Sequence, residues 1–290
     1  MSSVTPTIPP QLLDAIKNHR CVLFAGAGLS SGDDLPNWDG LLIELLQRAV
    51  DEDLMQPAAA AALRKAVKDR KYLFVADVVK RTLGTRGFGD QMERIFRNPA
   101  LKPTRRHELI TRIPFLAVIT TNYDKLLESA YAQHGFIPPT YTFHDAPDVI
   151  SALYQEKFFI LKAHGDIDHK DSIVLSEKDY RDVLYREPAY RAALNTIFIA
   201  KTVLFVGAGL GDTDVKLVLE SVSETFSGNG PTHYALVPAK DAVDEEVAHW
   251  REFFGMRLIR YRATKGHPEV DDFLQNLADC FAPEHELATA

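Results

Sequence analysis

Apolar residues fall along this chain in two alternating patterns. Some form short unbroken runs, and others recur every three or four positions over longer stretches. Unbroken runs rich in β-branched and aromatic residues suit strands buried on both faces, whereas the three-to-four spacing suits helices with one apolar face. The runs are Cys21–Ala25, 115–120, 158–161, 203–206, His233–Pro238 and 257–261, the last reading as an edge strand, with a shorter run at 173–175. Helical spacing covers about 11–20, 38–49 and 270–281. Pro10 suits a first turn, Asn37 or Pro36 can open the second helix, and Ser176 begins a capped start. Strands alternating with helices predict an α/β fold, a Rossmann-like doubly wound parallel sheet.

Between 51 and 112 no strand signal stands out. Residues 58–68 are alanine-rich, 72–83 carry Phe74, Val75, Val78 and Val79 at helical spacing, and 92–96 continue the theme. Gly84, Gly87 and Gly89 mark a break. The reading is one domain over 1–290 with a helical insertion at 51–112 that flanks or covers a cleft.

Composition narrows the class. A hydrophobic share of 46% and a charged share of 25% are those of a globular protein. The net charge of −7 argues against a broad phosphate-binding surface, and solvated helix charge explains Arg105 and Arg106. Direct nucleic-acid binding is therefore not expected. Two cysteines, Cys21 and Cys280, cannot make a four-cysteine zinc site, and no metal is expected. Cys21 reads as a small buried hydrophobe. No stretch approaches the roughly 20 apolar residues needed to span a bilayer. The first ten residues do not read as a signal peptide, so the expected location is cytoplasmic.

The chemistry gathers where strands end. The first run leads into Gly26-Ala27-Gly28-Leu29-Ser30, and a near-copy, Gly207-Ala208-Gly209-Leu210, follows the run at 203–206. Ser31 stands where a third glycine of the Gly-x-Gly-x-x-Gly pattern would be. Two other runs stop at Thr121-Asn122-Tyr123-Asp124 and at Lys162-Ala163-His164-Gly165-Asp166. Asn122 alone reads equally as a helix cap, and His164 as a core histidine beside a turn glycine. Together they are better explained by ligand binding, because open α/β sheets bind ligands outside the carboxyl ends of their strands. His107, His144, His169, His233 and His267 show no metal-ligand spacing and read as structural or solvated.

Cleavage of a dinucleotide at its N-glycosidic bond suits these residues. Oxidised nicotinamide departs neutral and needs no general acid, so the protein must orient the reactants and polarise a hydroxyl or water. Asn122 can donate and accept at once. Neutral His164 can take a proton, a role worth about 10²–10⁴ in rate. Asp124 can accept from the nicotinamide amide. The turns at Gly26, Ala27, Gly28 and Ser30 and at Gly207, Gly209 and Leu210 would hold the pyrophosphate and the adenosine end. A phosphate-loop ATPase is excluded by the missing Gly-Lys-Ser/Thr loop. The glycine turns leave a hydride-transferring dehydrogenase open, although no clear acidic residue ends a second strand about 20 residues on.

In the same order, Gly26-Ala27-Gly28-Leu29-Ser30, Thr121-Asn122-Tyr123-Asp124 and His164-Gly165 resemble the signatures of the sirtuin family. The stretches 173–180, 207–214 with Asp212 and Asp214, and 261–277 with Gly266-His267 resemble its bacterial branch. That resemblance implies catalytic Asn122 and His164, NAD as substrate, and an NAD-hydrolysing effector of anti-phage defence. It also implies gating by a homo-oligomer or by a separate partner, such as a HerA-type ATPase or an Argonaute-like protein, since the chain has little room for its own sensor. Departures from the deacylase members are the missing cysteine module, Thr121 in place of glutamine, and 32–38 in place of the usual Gly-Ile-Pro-Asp-Phe-Arg. A zinc-free deacylase or ADP-ribosyltransferase is the second reading. A non-catalytic subunit that binds NAD or ADP-ribose is the third.

Overall fold

A computed structural model describes residues 6–30, 35–210, 219 and 230–282. Ser31, Gly32, Asp212 and Asp214 lie outside them. Among the described residues, seven strands form one sheet in the order β3-β4-β2-β1-β5-β6-β7, with every pairing parallel. They are β1 (Cys21–Ala25), β2 (Ala117–Thr120), β3 (Thr140–Thr142), β4 (Ile160–Lys162), β5 (Thr202–Val206), β6 (His233–Pro238) and β7 (Met256–Tyr261). β7 is an edge strand, as its more polar pattern predicts. β3, at the other edge, has no counterpart among the expected strands. It is three residues long and follows Pro138-Pro139, too short to show a period. The run at 173–175 is a buried connection and not a strand.

Both faces of the sheet are covered, which is why its central strands read as continuous apolar runs. Val22 and Phe24 of β1 point into one cluster, and Cys21, Leu23 and Ala25 into the other, the two-residue alternation of a strand. The first cluster is closed by α7 (Ala146–Tyr154), α9 (Pro188–Ala200) and α10 (Asp244–Phe254). α1 (Pro10–Lys17), α5 (Arg105–Thr111), α6 (Leu126–Gln133) and α11 (Pro268–Asp279) close the second. The fold is a doubly wound, Rossmann-like α/β sheet.

A third cluster joins α2 (Trp38–Asp51), α3 (Pro57–Lys68) and α4 (Tyr72–Phe96). It also takes in Tyr123, Ile167, Ile173 and Leu175, so these helices are packed onto the loops that leave β2 and β4. The break expected at Gly84, Gly87 and Gly89 falls at Gly84, at φ 66° and ψ 172°, and Gly87 and Gly89 lie in the helical segment after it. Asn37 caps α2 by accepting from the Gly40 amide at 2.9 Å. α8 (Glu177–Arg186) starts at a Ser176–Asp179 capping box, as its sequence predicts. Among the described residues no helix is long and apolar enough to cross a membrane.

Candidate active site

Register fixes the site. Ala25 pairs with Thr120 of β2 and with Val206 of β5, and Thr120 pairs with Lys162 of β4. Four adjacent strands therefore stop level with one another. Gly26 and Gly207 each stand one residue beyond that line, and Asn122 and His164 each stand two beyond it. The chain moves from the β2 side of β1 to the β5 side, so the crevice lies at the switch in winding, where open α/β sheets bind ligands.

The two glycine turns interlock. Gly26 N–H donates to Val206 O at 3.1 Å, and Gly28 N–H to Gly207 O at 2.9 Å. A Cβ on Gly26 would lie 2.4 Å from Ala208 Cα, and one on Gly207, whose φ is 64°, would lie 2.4 Å from Leu29 N. These glycines are required for main chain to pack on main chain. Gly26, Ala27, Gly207 and Gly209 line a wide cleft of about 680 Å³. Leu210 packs against the first core cluster.

Beside that cleft, and sharing Ala27, Trp38 and Thr121 with it, lies a narrow one lined by Ser30, Asn122, Asp124 and His164. Its volume of about 50 Å³ is room for a few waters. Asp124, not Asn122, bonds to the start of the next helix, accepting from Leu126 N–H at 3.0 Å from the position before its N-cap, Lys125. Asn122 Nδ2 donates to Ser30 Oγ at 3.1 Å, while its carbonyl Oδ1 is buried without a partner among the described residues. An orphaned buried acceptor costs about 1–3 kcal/mol. His164 is 3% exposed, and its Nε2 lies 3.3 Å from the Tyr180 hydroxyl, which lines the wide cleft. Gly165, at φ 89°, lets the chain turn away from His164, since a Cβ there would lie 2.0 Å from Ser172 O.

The model of the SIR2-like domain family matches residues 116–259. That span, just under half of the chain, is similar to the SIR2-like domain family. Within the matched span lie Asn122, Asp124, His164 and the second glycine turn. The chain is 25% identical over 274 residues to a protein named NAD(+) hydrolase ThsA from Bacillus cereus (strain MSX-D12), covering 90% of this chain and 54% of that one. It is 25% identical over 254 residues to Defense-associated sirtuin 2 from Bacillus subtilis, covering 86% of this chain and 24% of that one. The chain thus spans about half or less of these relatives. It also aligns with the crystal structure of a Sir2 homologue–NAD complex at a TM-score of 0.46 and 15% identity, over 96% of this chain and 97% of that one.

The candidate site is braced by residues whose sequence context gave little signal. His107 is fully buried at the start of α5, and burial, with the Arg106 charge second, pulls it down to about 4. It is neutral at pH 7. Its Nδ1 accepts from Thr104 N–H at 3.2 Å, so the proton is on Nε2, which donates to Ser30 Oγ at 3.3 Å. Ser30 in turn donates to Asp124 Oδ2 at 3.1 Å. Lys162, also fully buried, donates to Asp124 O and to Glu128 at 3.3 Å. Lys125 ties the same loop to Asp166 at 2.8 Å. These bonds hold the loop after β2 against the loop after β4.

Arg106 is not the solvated charge expected. Only 6% exposed, it donates to Gly28 O at 3.0 Å and to Gly266 O and His267 O, and it pairs with Asp271. Burial is what sequence context alone did not reveal. Arg105 does remain exposed, bonded to Gln275. Cys21 is buried, and burial pushes its thiol well up, leaving it inert.

Proposed function

We propose that the chain is an NAD⁺ glycohydrolase that releases nicotinamide and ADP-ribose, with Asn122 and His164 as catalytic residues. The observation that carries this reading is the shared cleft of these two side chains, with the Asn122 carbonyl oxygen unpartnered beside them. The dinucleotide lies along the wide cleft, its nicotinamide end at the mouth of the narrow one and its pyrophosphate over Gly26, Ala27, Gly28, Gly207 and Gly209. Ser30, Asp124 and Leu210 complete the binding set. Asn122 Oδ1 accepts from water or a ribose hydroxyl, and His164 takes the proton as the C1′–N bond breaks. Nicotinamide leaves neutral. The water oxygen then closes on C1′, and electrons and protons balance without a metal. Asp124 spends one oxygen on Leu126 N–H and the other on Ser30, and a remaining lone pair accepts from the nicotinamide amide.

The names of the two relatives support this chemistry and a role in defence. On this reading the chain is one nucleotide-binding unit with the helical stretch 51–112 set into it. It is a cytoplasmic effector that depletes NAD, held in check by self-assembly or by a separate partner such as a HerA-type ATPase or an Argonaute-like protein. Purified protein incubated with NAD⁺, alone and with candidate partners, tests it. Nicotinamide release is expected, and its absence under every condition overturns the reading. Release only with an acyl-peptide would favour the deacylase, and saturable ADP-ribose binding without product would favour a regulatory subunit.

A further inference from the structure

One wall of the wide cleft comes from α2 and the α3–α4 junction. Opposite the glycine turns stand Trp38, Arg70, Lys71, Tyr72 and Phe74. Trp38 and Tyr72 stack with ring centroids 5.9 Å apart, and Trp38 also lines the narrow cleft. Arg70 and Lys71 have no ion-pair partner among the described residues. The described residues of this cleft include no carboxylate. Its wall therefore presents two positive charges without an ion-pair partner among the described residues to a floor of backbone turns, with the Asp39 carboxylate engaged by the Tyr72 hydroxyl beside them.

The backbone at Arg70 adds a second observation. α3 ends with Lys71 N–H bonded to Ala66 O and Arg70 N–H bonded to Val67 O, which places Arg70 at φ 57°. Glycine is the usual residue in that position, because a side chain there costs about 1–2 kcal/mol. α1, α2 and α7 end in the same way on His19, Asp53 and Glu156. Arg70 alone of the four lines the wide cleft. The junction gives up backbone stability and gains a guanidinium at the mouth.

We propose that Arg70 and Lys71 form a phosphoanhydride subsite that grips the pyrophosphate of the dinucleotide from the side facing the glycine turns. The assignment rests on the NAD reading of the same crevice. It gives the α2–α4 helices a direct part in substrate binding, and it places positive charge where the interlocked turns supply only dipoles. Guanidinium and ammonium bonds to phosphate are charge-assisted and among the stronger polar contacts. The bond-breaking atoms are untouched, so the effect falls on binding and not on the chemical step.

The test compares wild type with Arg70→Gly, Lys71→Ala, the double variant, and Lys65→Ala, an exposed lysine of α3 outside the cleft. ADP-ribose and adenosine are titrated by calorimetry at several salt concentrations, and nicotinamide release is followed in parallel. ADP-ribose is expected to bind about tenfold or more weaker to each single variant, with a shallower salt dependence in the double variant. KM should rise by the same factor with kcat within about twofold. Adenosine binding and the Lys65→Ala variant should be unchanged. Arg70→Gly should unfold at the same temperature as wild type or higher, so weaker binding by it is not a folding defect. Equal ADP-ribose affinity in wild type and the double variant overturns the subsite and leaves the hydrolase reading standing. A wild type that neither binds ADP-ribose nor releases nicotinamide overturns both.

Discussion

Ser30 Oγ and His107 Nε2 lie 3.3 Å apart although 77 residues separate them in the chain. The contact orders a short relay: the Thr104 amide fixes the imidazole tautomer, the imidazole donates to Ser30, and Ser30 donates to Asp124. With its hydroxyl proton committed, Ser30 can only accept from Asn122 Nδ2, and the carbonyl oxygen of Asn122 is left for a ligand. Ser30→Ala is therefore expected to lower kcat by about tenfold or more, with the unfolding midpoint nearly kept. His107→Leu should do the same and also destabilise by about 1–3 kcal/mol, since Thr104 N–H loses its acceptor. An unchanged kcat in both variants would remove the relay from the reaction.

Loss of either proposed catalytic group should cost far more. Asn122→Ala and His164→Ala are each expected to reduce nicotinamide release by about 10²–10⁴-fold while ADP-ribose still binds. Wild-type turnover in either variant, with a normal melting curve, excludes that residue.

Legibility of the sequence tracked how local each cause was. β1, β2, β5 and β6 announced themselves because both faces are buried, and β3 was hidden because three residues cannot show a pattern. Gly26, Asn122 and His164 could be placed at strand ends from adjacent residues alone. His107 and Lys162 could not. Their roles arise from contacts across 77 and 38 residues, to Ser30 and to the Asp124 carbonyl. Arg106 likewise looked like one more helix charge until its five acceptors on three segments were in view. A lone polar residue in a helix carries no mark of burial when its partner lies elsewhere in the chain.

Two glycines with positive φ separate backbone strain from crowding. Gly165 at φ 89° would drive a Cβ into Ser172 O, whereas a Cβ on Gly135 at φ 78° would meet nothing within 4 Å among the described residues. Gly135→Ala should cost about 1–2 kcal/mol. Gly165→Ala should cost about 2–4 kcal/mol and also displace His164, lowering turnover. Urea titration of both variants checks the order, and equal losses would show that crowding at Gly165 is relieved.

Acid should weaken the fold through two buried histidines. Burial lowers His107 and His233 to about 4 from an ordinary 6.5. Between those values the unfolded chain binds more protons than the folded one, so stability falls as pH drops from 6.5 toward 4. The contribution is fully present above 6.5 and is on the order of 3 kcal/mol per histidine. Urea midpoints across that range should show the decline, and His233→Gln should flatten it. A wild-type curve level from 6.5 to 4 contradicts the assignment.

The interlocked turns also divide two kinds of evolutionary pressure. Any side chain at 26, 28 or 207 collides with neighbouring main chain even when the crevice never meets a nucleotide. A descendant that had lost its chemistry would still need all three glycines to fold. On the proposed chemistry, pseudoenzymes built on this scaffold would be told apart from working copies at positions 122 and 164, and the glycine signature would be silent on the matter.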